Sequence, residues 1–197
     1  MPTRRPDRRS EQSAQAVTQA ALDLCKESGY RKLSIEGIAA RAGVGKNTIY
    51  RWWPSKAAVL MDAMLSTMAM DATFPDTGDI RADMTAQITA GVRALAGPEI
   101  GPHYRALIGE AQHDHAIADA LRERLITPLS EAAADRIHCA QQHGQLREDV
   151  EPDLIIELLY GPVYHRWLLT GRVPDKRRIA AIVDTVVTGL EPKSPAK

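Results

Sequence analysis

Apolar residues recur every three or four positions along most of the chain, and this spacing predicts helices throughout. The predicted helices cover residues 10–28, 35–42, 46–52, 55–70, 80–96, 104–112, 117–143, 153–170 and 175–190. Pro128 and Pro162 are expected to bend two of them without ending them, since the apolar periodicity continues on both sides. No alternating pattern of useful length predicts a strand. The sequence therefore indicates an all-α protein of about nine helices.

Two of the predicted helices are short and lie close together within residues 34–56. Ser34 is a good N-cap for the first, the small Ala39 permits a close approach, and Gly43 stands where the chain must turn. Pro54 ends the second helix, because a proline disfavours the helical conformation of the residue before it. This arrangement predicts a helix-turn-helix, a motif that places its second helix in the major groove of DNA.

The polar side of the second short helix carries donors, cations and amphipathic rings, which suit phosphates and base edges. The predicted DNA-contacting residues are Ser34, Lys46, Asn47, Thr48, Tyr50, Arg51, Trp52 and Lys56. Thr48, Tyr50 and Lys56 are expected to hold the phosphate backbone, and the others of the second helix to lie near base edges or the groove wall. Residues 1–9 form a basic segment in which Arg4 and Arg5 are either a DNA-following arm or part of a solvated tail.

The chain of 197 residues has a net charge of zero, which alone argues against a nucleic-acid-binding protein. The distribution of charge reverses that argument. Residues 1–60 contain eleven Lys and Arg against five Asp and Glu, whereas residues 61–197 contain fourteen against twenty. A basic head on an acidic body is typical of a protein that touches DNA with one end only.

An ordered series of residues over about the first third of the chain resembles the TetR family of bacterial transcriptional regulators. The series is Ala21, Leu24, Gly29, Tyr30, Leu33, Ile35, Ile38, Ala39, Ala42, Gly43, Val44, Ile49, Tyr50, Trp53, Pro54, Ser55, Lys56 and Leu60. The resemblance implies a DNA-binding domain at residues 10–56, a connecting helix at 55–70, and a ligand-binding and dimerisation domain at 71–197. It also implies a homodimer joined through residues 153–170 and 175–190, where the surplus of apolar side chains independently favours a partner copy.

A symmetric dimer demands a palindromic operator, and the resemblance implies a repressor that a small molecule releases from DNA. The candidate ligand-binding residues are Met64, Met68, Met84, Ile88, Tyr104, Leu125, Tyr160, Tyr164, His165 and Trp167. Plain core packing is the favoured interpretation for each of them taken singly. Methionines suit adaptable cavities, which favours an apolar or aromatic ligand. No cofactor is implied.

Three other classes of function fit the sequence less well than a DNA-binding regulator. An enzyme is disfavoured, because no nucleophile arrangement or phosphate-binding loop is present. A metal sensor could use His113 and His115, but residues two apart on a helix point to different faces. A helical protein-binding module would not need the basic head. No apolar run approaches a membrane span or a signal peptide, so a cytoplasmic, nucleoid-associated location is expected.

Overall fold

The computed structural model describes residues 8–68 and 74–192, and all regular structure in these ranges is helical. The α-helices are α1 Arg8–Ser28, α2 Ile35–Ala42, α3 Lys46–Tyr50, α4 Lys56–Thr67, α5 Ile80–Ala96, α6 Gly101–Ala111, α7 His115–Leu121, α8 Thr127–Gln142, α9 Pro152–Tyr164 and α10 Lys176–Gly189. A 3₁₀ turn spans Tyr30–Lys32, and π-helical turns span Arg122–Ile126 and His165–Leu169. The predicted all-α class is confirmed. The described residues contain nine helices if α7 and α8 are counted as one interrupted helix.

The chain divides into two compact units. The first consists of Met1–Ala69 and Pro98–Leu121, and therefore holds α1 to α4 together with α6 and α7. The second consists of Met70–Gly97 and Arg122–Lys197, and holds α5 and α8 to α10. Residues 71–197 were expected to form one ligand-binding and dimerisation domain. The compact unit that contains α2 and α3 also includes α6 and α7, because α6 packs against both α1 and α4.

The first unit is built around α1, which packs against α2 and α4. Val17 and Ala21 of α1 and Leu60 of α4 are almost completely buried, as is Leu107 of α6. Val17 and Ala21 lie one turn apart on the buried face of α1, whereas α4 has no exposed residue before Ser66 and is therefore covered on all sides. No helix among the described residues is both long enough and apolar enough to cross a membrane.

The second unit has its core between α5, α8, α9 and α10. The buried cluster contains Ile80, Met84, Ile88, Ile137, Ala140, Leu146, Ile155, Leu159, Val163, Ile179, Val183, Val187 and Leu190. A buried ion pair lies beside it: the Arg136 guanidinium donates to the Asp83 carboxylate at 2.6 and 3.1 Å. Burial raises the pKa of Asp83, but hydrogen bonds from Thr77 and Arg136 outweigh that effect and leave the pKa below its ordinary value.

Polar residues begin four of the helices, as their sequence positions lead one to expect. The Ser34 hydroxyl accepts from the Gly37 amide at 3.1 Å, and the Ser55 hydroxyl accepts from the Ala58 amide at 3.2 Å. Asp79 caps α5 in the same way, and Asp175 caps α10. Each cap satisfies amide groups that have no partner inside the helix. The predicted N-cap at Ser34 is confirmed.

Five predicted helix boundaries were wrong by two or three residues, among them the start of α7, which lies at His115 instead of residue 117. Helix α1 begins at Arg8, so the last two residues of the predicted arm are helical. Helix α3 ends at Tyr50, because the Trp52 amide bonds to the Ile49 carbonyl in a tightened final turn. Helix α6 begins at Gly101 instead of residue 104, since Pro102 is well suited to a first helical turn.

The fifth boundary is the end of α4, which lies at Thr67 instead of residue 70. Met68 leaves the helix with an extended backbone, at φ −79° and ψ 105°. The hydroxyls of Ser66 and Thr67 both donate to the Ala63 carbonyl, at 2.9 and 2.8 Å. Such local side-chain bonds compete with the helical ladder and weaken its last turn.

The two proline-containing helices are interrupted by π-helical turns. The first interruption, Arg122–Ile126, comes directly before Pro128, whose missing amide and bulky ring disturb the preceding turn. The second interruption comes after Pro162, which lies inside α9 and, as expected, does not end it. Helix α9 continues through Pro162 to Tyr164, and the π-helical turn follows at His165–Leu169.

Candidate nucleic-acid interface

The turn between α2 and α3 is built from a glycine and a pair of capping bonds. Gly43 adopts the left-handed conformation, at φ 67°, which strains any residue with a Cβ atom. The Val44 amide donates to the Ala39 carbonyl at 3.0 Å, so the chain closes the end of α2 before it enters α3. The buried Ala39 leaves room for this close approach. The predicted helix-turn-helix geometry is therefore present.

Two apolar residues fix α3 to the rest of the first unit. Ile49 is completely buried, and Trp53 is 6% exposed. The indole nitrogen of Trp53 donates to the Asp62 carboxylate of α4 at 2.6 Å, which satisfies the one polar atom of the ring. Trp53 therefore anchors the end of α3 to α4. The bond to Asp62 could not be read from the local sequence pattern.

The opposite side of α3 and its final turn points into solvent, and we call Lys46, Asn47, Tyr50, Arg51 and Trp52 the outer face of α3. All five are exposed. Tyr50 and Trp52 are each 53% exposed, which is unusual for rings of this size. Thr48, predicted to belong to the same set, is half-buried, as is Ser34. Arg4 and Arg5 lie outside the described residues.

Two cations of the helix-turn-helix are already paired with carboxylates. The Lys46 ammonium lies 3.2 Å from the Glu36 carboxylate, and Arg41 makes two bonds of 2.9 Å to Glu27. The pKa of Glu36 is lowered, first by a bond from its own backbone amide and then by Lys46. All four side chains are largely exposed, so each pair contributes little to stability. Neither pair could be predicted from the local sequence, because the two residues of each pair are ten or more positions apart.

Arg51 and Trp52 are adjacent in sequence and also in contact. The guanidinium carbon of Arg51 lies 5.6 Å from the centroid of the Trp52 ring. A cation held over an aromatic face at this distance is favourable by about 0.5–1 kcal/mol at an exposed site. The stack therefore restricts the directions in which the Arg51 guanidinium can point.

Lys56 differs from the other predicted DNA-contacting residues. Its ammonium donates to the carbonyl oxygens of Tyr30 and Leu33, at 3.2 and 2.9 Å, and lies 4.4 Å from the centroid of the Tyr30 ring. The side chain is half-buried. The sequence predicted a phosphate contact for this residue, but its charge is engaged inside the first unit.

The predicted ligand-binding residues are divided between the two units. In the first unit, Met64 and Tyr104 are almost completely buried, and Met68 follows the last residue of α4. In the second unit, Met84 and Ile88 belong to the buried cluster. Close packing accounts for the burial of these residues, so their role in binding a ligand stays a prediction.

An aromatic group in the second unit contains three of the other candidates. Tyr164 and Trp167 have ring centroids 6.4 Å apart, and Tyr160 packs against the buried cluster. Burial, followed by the proximity of Tyr164, raises the pKa of Tyr160 to about 12, so its hydroxyl stays protonated at neutral pH. Leu125 is buried in the first π-helical turn, whereas His165 is exposed. His165 therefore lines no buried part of this unit.

Across the described part of the chain, no group of three or more His, Cys, Asp or Glu residues is arranged to hold a metal ion. Both cysteines are free: Cys25 is buried and Cys139 is partly exposed. Burial raises the pKa of the Cys25 thiol, an effect that the charge of Lys56 opposes.

The capped turn, the anchored α3 and its exposed outer face define a DNA-binding protein of the helix-turn-helix class. Comparison with known proteins gives the family. Residues 17–63 match the family model "Bacterial regulatory proteins, tetR family", and residues 74–186 match "Tetracyclin repressor-like, C-terminal domain". The chain belongs to the TetR family of transcriptional regulators.

Individual relatives match over nearly the whole chain. The HTH-type transcriptional regulator YdeS of Bacillus subtilis is 35% identical over 194 residues, which is 98% of both chains. The DNA-binding transcriptional repressor TetR of Mycobacteroides abscessus is 32% identical, over 92% of this chain and 95% of its own. The crystal structure of the TetR family transcription regulator SCO0332 is 36% identical with a TM-score of 0.68, and the match covers 91% of this chain and 99% of that one.

Proposed function

We propose that this regulator is a homodimeric repressor that binds a palindromic operator through the outer face of α3 and is released by a small apolar or aromatic ligand. The observation that carries the proposal is the outer face itself. Two large rings, two cations and an amide project into solvent from one short helix, while Ile49 and Trp53 hold the opposite side. Rings and cations exposed together suit a polyanion whose grooves offer both phosphates and base edges.

Within the outer face, side-chain chemistry suggests a division of roles. Asn47 can form paired bonds with adenine, and Arg51 with guanine, so these two residues are proposed to read bases. The hydroxyl of Tyr50 is suited to a phosphate oxygen. Lys46 is proposed to leave Glu36 and move to DNA, since an exposed ion pair costs little to break.

The homodimer is supported by exposed apolar side chains of the second unit. Leu154 and Leu158 of α9 are 48% and 45% exposed, and Leu169 is 77% exposed. In contrast, Ile179, Val183 and Val187 of α10 are buried in the core of their own unit. The apolar surplus expected for the last two helices therefore lies mainly on and just after α9, and we call Leu154, Leu158 and Leu169 the α9 apolar face.

Repression and ligand release have weaker support. The Mycobacteroides abscessus relative bears the name of a repressor, which favours repression here. An inducer would act by preferring a separation of the two DNA-binding units that the operator does not fit. The aromatic group of Tyr160, Tyr164 and Trp167 favours a ligand with a flat apolar surface.

Selection from random duplex DNA tests the proposal. Purified protein should retain duplexes with a palindromic consensus whose half-sites are about one helical turn apart, or a multiple of that distance. A matched control is the variant Asn47→Ala/Arg51→Ala, which keeps the buried anchors and should lose the consensus. Retention of unrelated duplexes, or of none, by the unmodified protein would contradict the proposed function.

A further inference from the structure

Four cations lie within residues 34–56, and Arg51 differs from the other three. Arg41 and Lys46 are paired with carboxylates, and the Lys56 ammonium donates to two backbone carbonyls. Among the described residues, the Arg51 guanidinium has no carboxylate or carbonyl partner. Its five N–H donors are therefore available to a ligand, whereas a bidentate carboxylate would occupy two of them.

Trp52 restrains the Arg51 guanidinium without using those donors. The guanidinium carbon lies 5.6 Å from the centroid of the Trp52 ring, which is within the range of a cation–π contact. Arg51 is exposed, so without the ring its long side chain would sample many rotamers. The contact therefore limits the orientation of the cation and leaves its hydrogen-bonding groups open.

The backbone of Trp52 is fixed from the buried side of the first unit. The amides of Trp52 and Trp53 both donate to the Ile49 carbonyl, at 2.9 Å each. Ile49 is completely buried, and the indole of Trp53 is bonded to Asp62 of α4. The Trp52 ring is 53% exposed and adds little to the core. Its contact with Arg51 gives this ring a role outside the core.

We propose that Trp52 is a specificity-determining positioning residue, which holds the Arg51 guanidinium ready to bind the N7 and O6 atoms of one guanine in each operator half-site. Guanine presents these two acceptors side by side in the major groove, and a guanidinium meets both at once. An arginine that is oriented before binding loses less rotamer freedom when this pair forms. The inference rests on the proposed function, because it requires the outer face of α3 to lie in the major groove.

NMR of the free protein tests the contact without DNA. The ring current of the Trp52 indole should shift the Cδ protons of Arg51 upfield, and Trp52→Leu should remove this shift. The position is half-exposed, so the variant should fold. The Cδ protons of Arg41, which is paired with Glu27, are the control and should not move. Unshifted Arg51 protons in the unmodified protein would overturn the proposal.

Paired duplexes test the effect on base reading. One duplex is the selected palindrome, and the other carries adenine, in one half-site, at the guanine whose selection Arg51→Ala abolishes. Adenine offers a donor where guanine has O6. Trp52→Leu should lower the affinity ratio of the two duplexes about fivefold, the upper value for an exposed cation–π contact. A contact of the ring with phosphate would weaken both duplexes alike and cancel from the ratio.

The background variant Arg51→Ala shows whether the ring acts through the arginine. In that background Trp52→Leu should leave the ratio unchanged, since no guanidinium remains to be held. Trp52→Tyr keeps an aromatic face and should retain more of the ratio than Trp52→Leu does.

Three results would overturn this inference alone: an unchanged ratio in Trp52→Leu, an equal loss of ratio with and without Arg51, or a guanine preference that survives Arg51→Ala. In each of them the palindrome would still be selected by the unmodified protein. If the unmodified protein selected no palindrome, the proposed function would fail and this inference with it.

Discussion

The two units differ in their buried charge and in the apolar side chains that they expose, although both carry exposed ion pairs, such as Arg81 with Asp184 in the second unit. In the first unit the ion pairs of the helix-turn-helix are exposed, and the large exposed rings, Tyr50 and Trp52, lie beside cations. In the second unit an ion pair is buried, with Asp83 and Arg136 only 1% and 3% exposed at their side chains, while leucines of α9 face solvent.

This difference indicates two kinds of partner. Exposed charges mixed with rings suit a polyanion, whose affinity for them falls with salt. Exposed leucines suit another apolar face, and a second copy of the same chain supplies one by symmetry. Substitutions in the ion pairs and in the exposed faces of the two units test this difference.

Breaking the buried ion pair should affect stability far more than breaking an exposed one. Asp83→Asn removes the buried carboxylate and leaves the Arg136 charge with only the largely exposed Asp76 carboxylate, 3.3 Å away, so the free energy of unfolding should fall by up to about 3–5 kcal/mol. Glu27→Gln removes the partner of Arg41 at the surface and should lower the free energy of unfolding far less. Chemical denaturation of the two variants measures both values, and similar losses would contradict the comparison.

The same pair gives a pH dependence. The folded pKa of Asp83 is lowered, so its contribution to stability is present above the ordinary value of 3.8 and is lost as the pH falls below it. The free energy of unfolding should therefore decrease more steeply below pH 4 in the unmodified protein than in Asp83→Asn. Parallel curves for the two proteins would show that Asp83 titrates normally.

A charge on the α9 apolar face should separate the proposed dimer. Leu158→Asp places a carboxylate at a half-exposed position, so the monomer should fold while self-association is lost. Each half-site is then bound by a separate monomer, and operator affinity should fall about 100-fold or more. Sedimentation and DNA titration measure the two effects. The control His138→Asp changes an exposed position of α8 and should alter neither. A dimer that survived Leu158→Asp would place the interface elsewhere.

Substitutions on the outer face of α3 should separate base reading from phosphate binding. Asn47→Ala should change which operator is preferred, at a cost of about 1–3 kcal/mol on the original base. Tyr50→Ala should weaken binding to all duplexes to a similar extent, because a phosphate contact carries no base information. Repeating the duplex selection with each variant distinguishes these outcomes. An unchanged consensus for Asn47→Ala would remove it from the base-reading set.

The smallest expected effect concerns His103, a buried residue of α6 whose Nδ1 atom has no hydrogen-bond partner. Burial, followed by the charge of Lys26, lowers its pKa, and Glu99 partly opposes this. Because the folded pKa is below the ordinary 6.5, stability should be full above pH 6.5 and decrease as the pH falls below it. His103→Gln should flatten this part of the curve, and an identical decrease in the variant would assign it to another group.

Local sequence signals were sufficient for most of the fold. Ser34, Gly43 and Pro54 determine the backbone conformation next to them. An N-cap, a left-handed turn and a helix-ending proline each act within a few residues. The exposed side of α3 followed from the same helical spacing, and Trp52 stood out because a large ring on a polar side has no local reason to be there. The outer face was therefore largely predictable.

Contacts between distant residues were not predictable in this way. Nothing near Lys56 indicates that its ammonium binds carbonyls 23 and 26 residues earlier. The pair between Asp83 and Arg136 spans 53 residues. The packing of α6 against α1 and α4 likewise depends on which helices meet, and the apolar pattern of α6 is the same whichever neighbour it buries against.

The proposed function requires that the outer face of α3 binds DNA and that the α9 apolar face joins two copies of the chain. The affinity for a full palindrome, compared with the affinity for a single half-site, tests both requirements at once. We expect one dimer per full palindrome, with affinity at least about 100-fold higher than for a duplex of equal length and charge that contains one half-site. Equal affinities with one chain bound per duplex would contradict the account, because the α9 apolar face would then not pair the two copies of α3 on DNA.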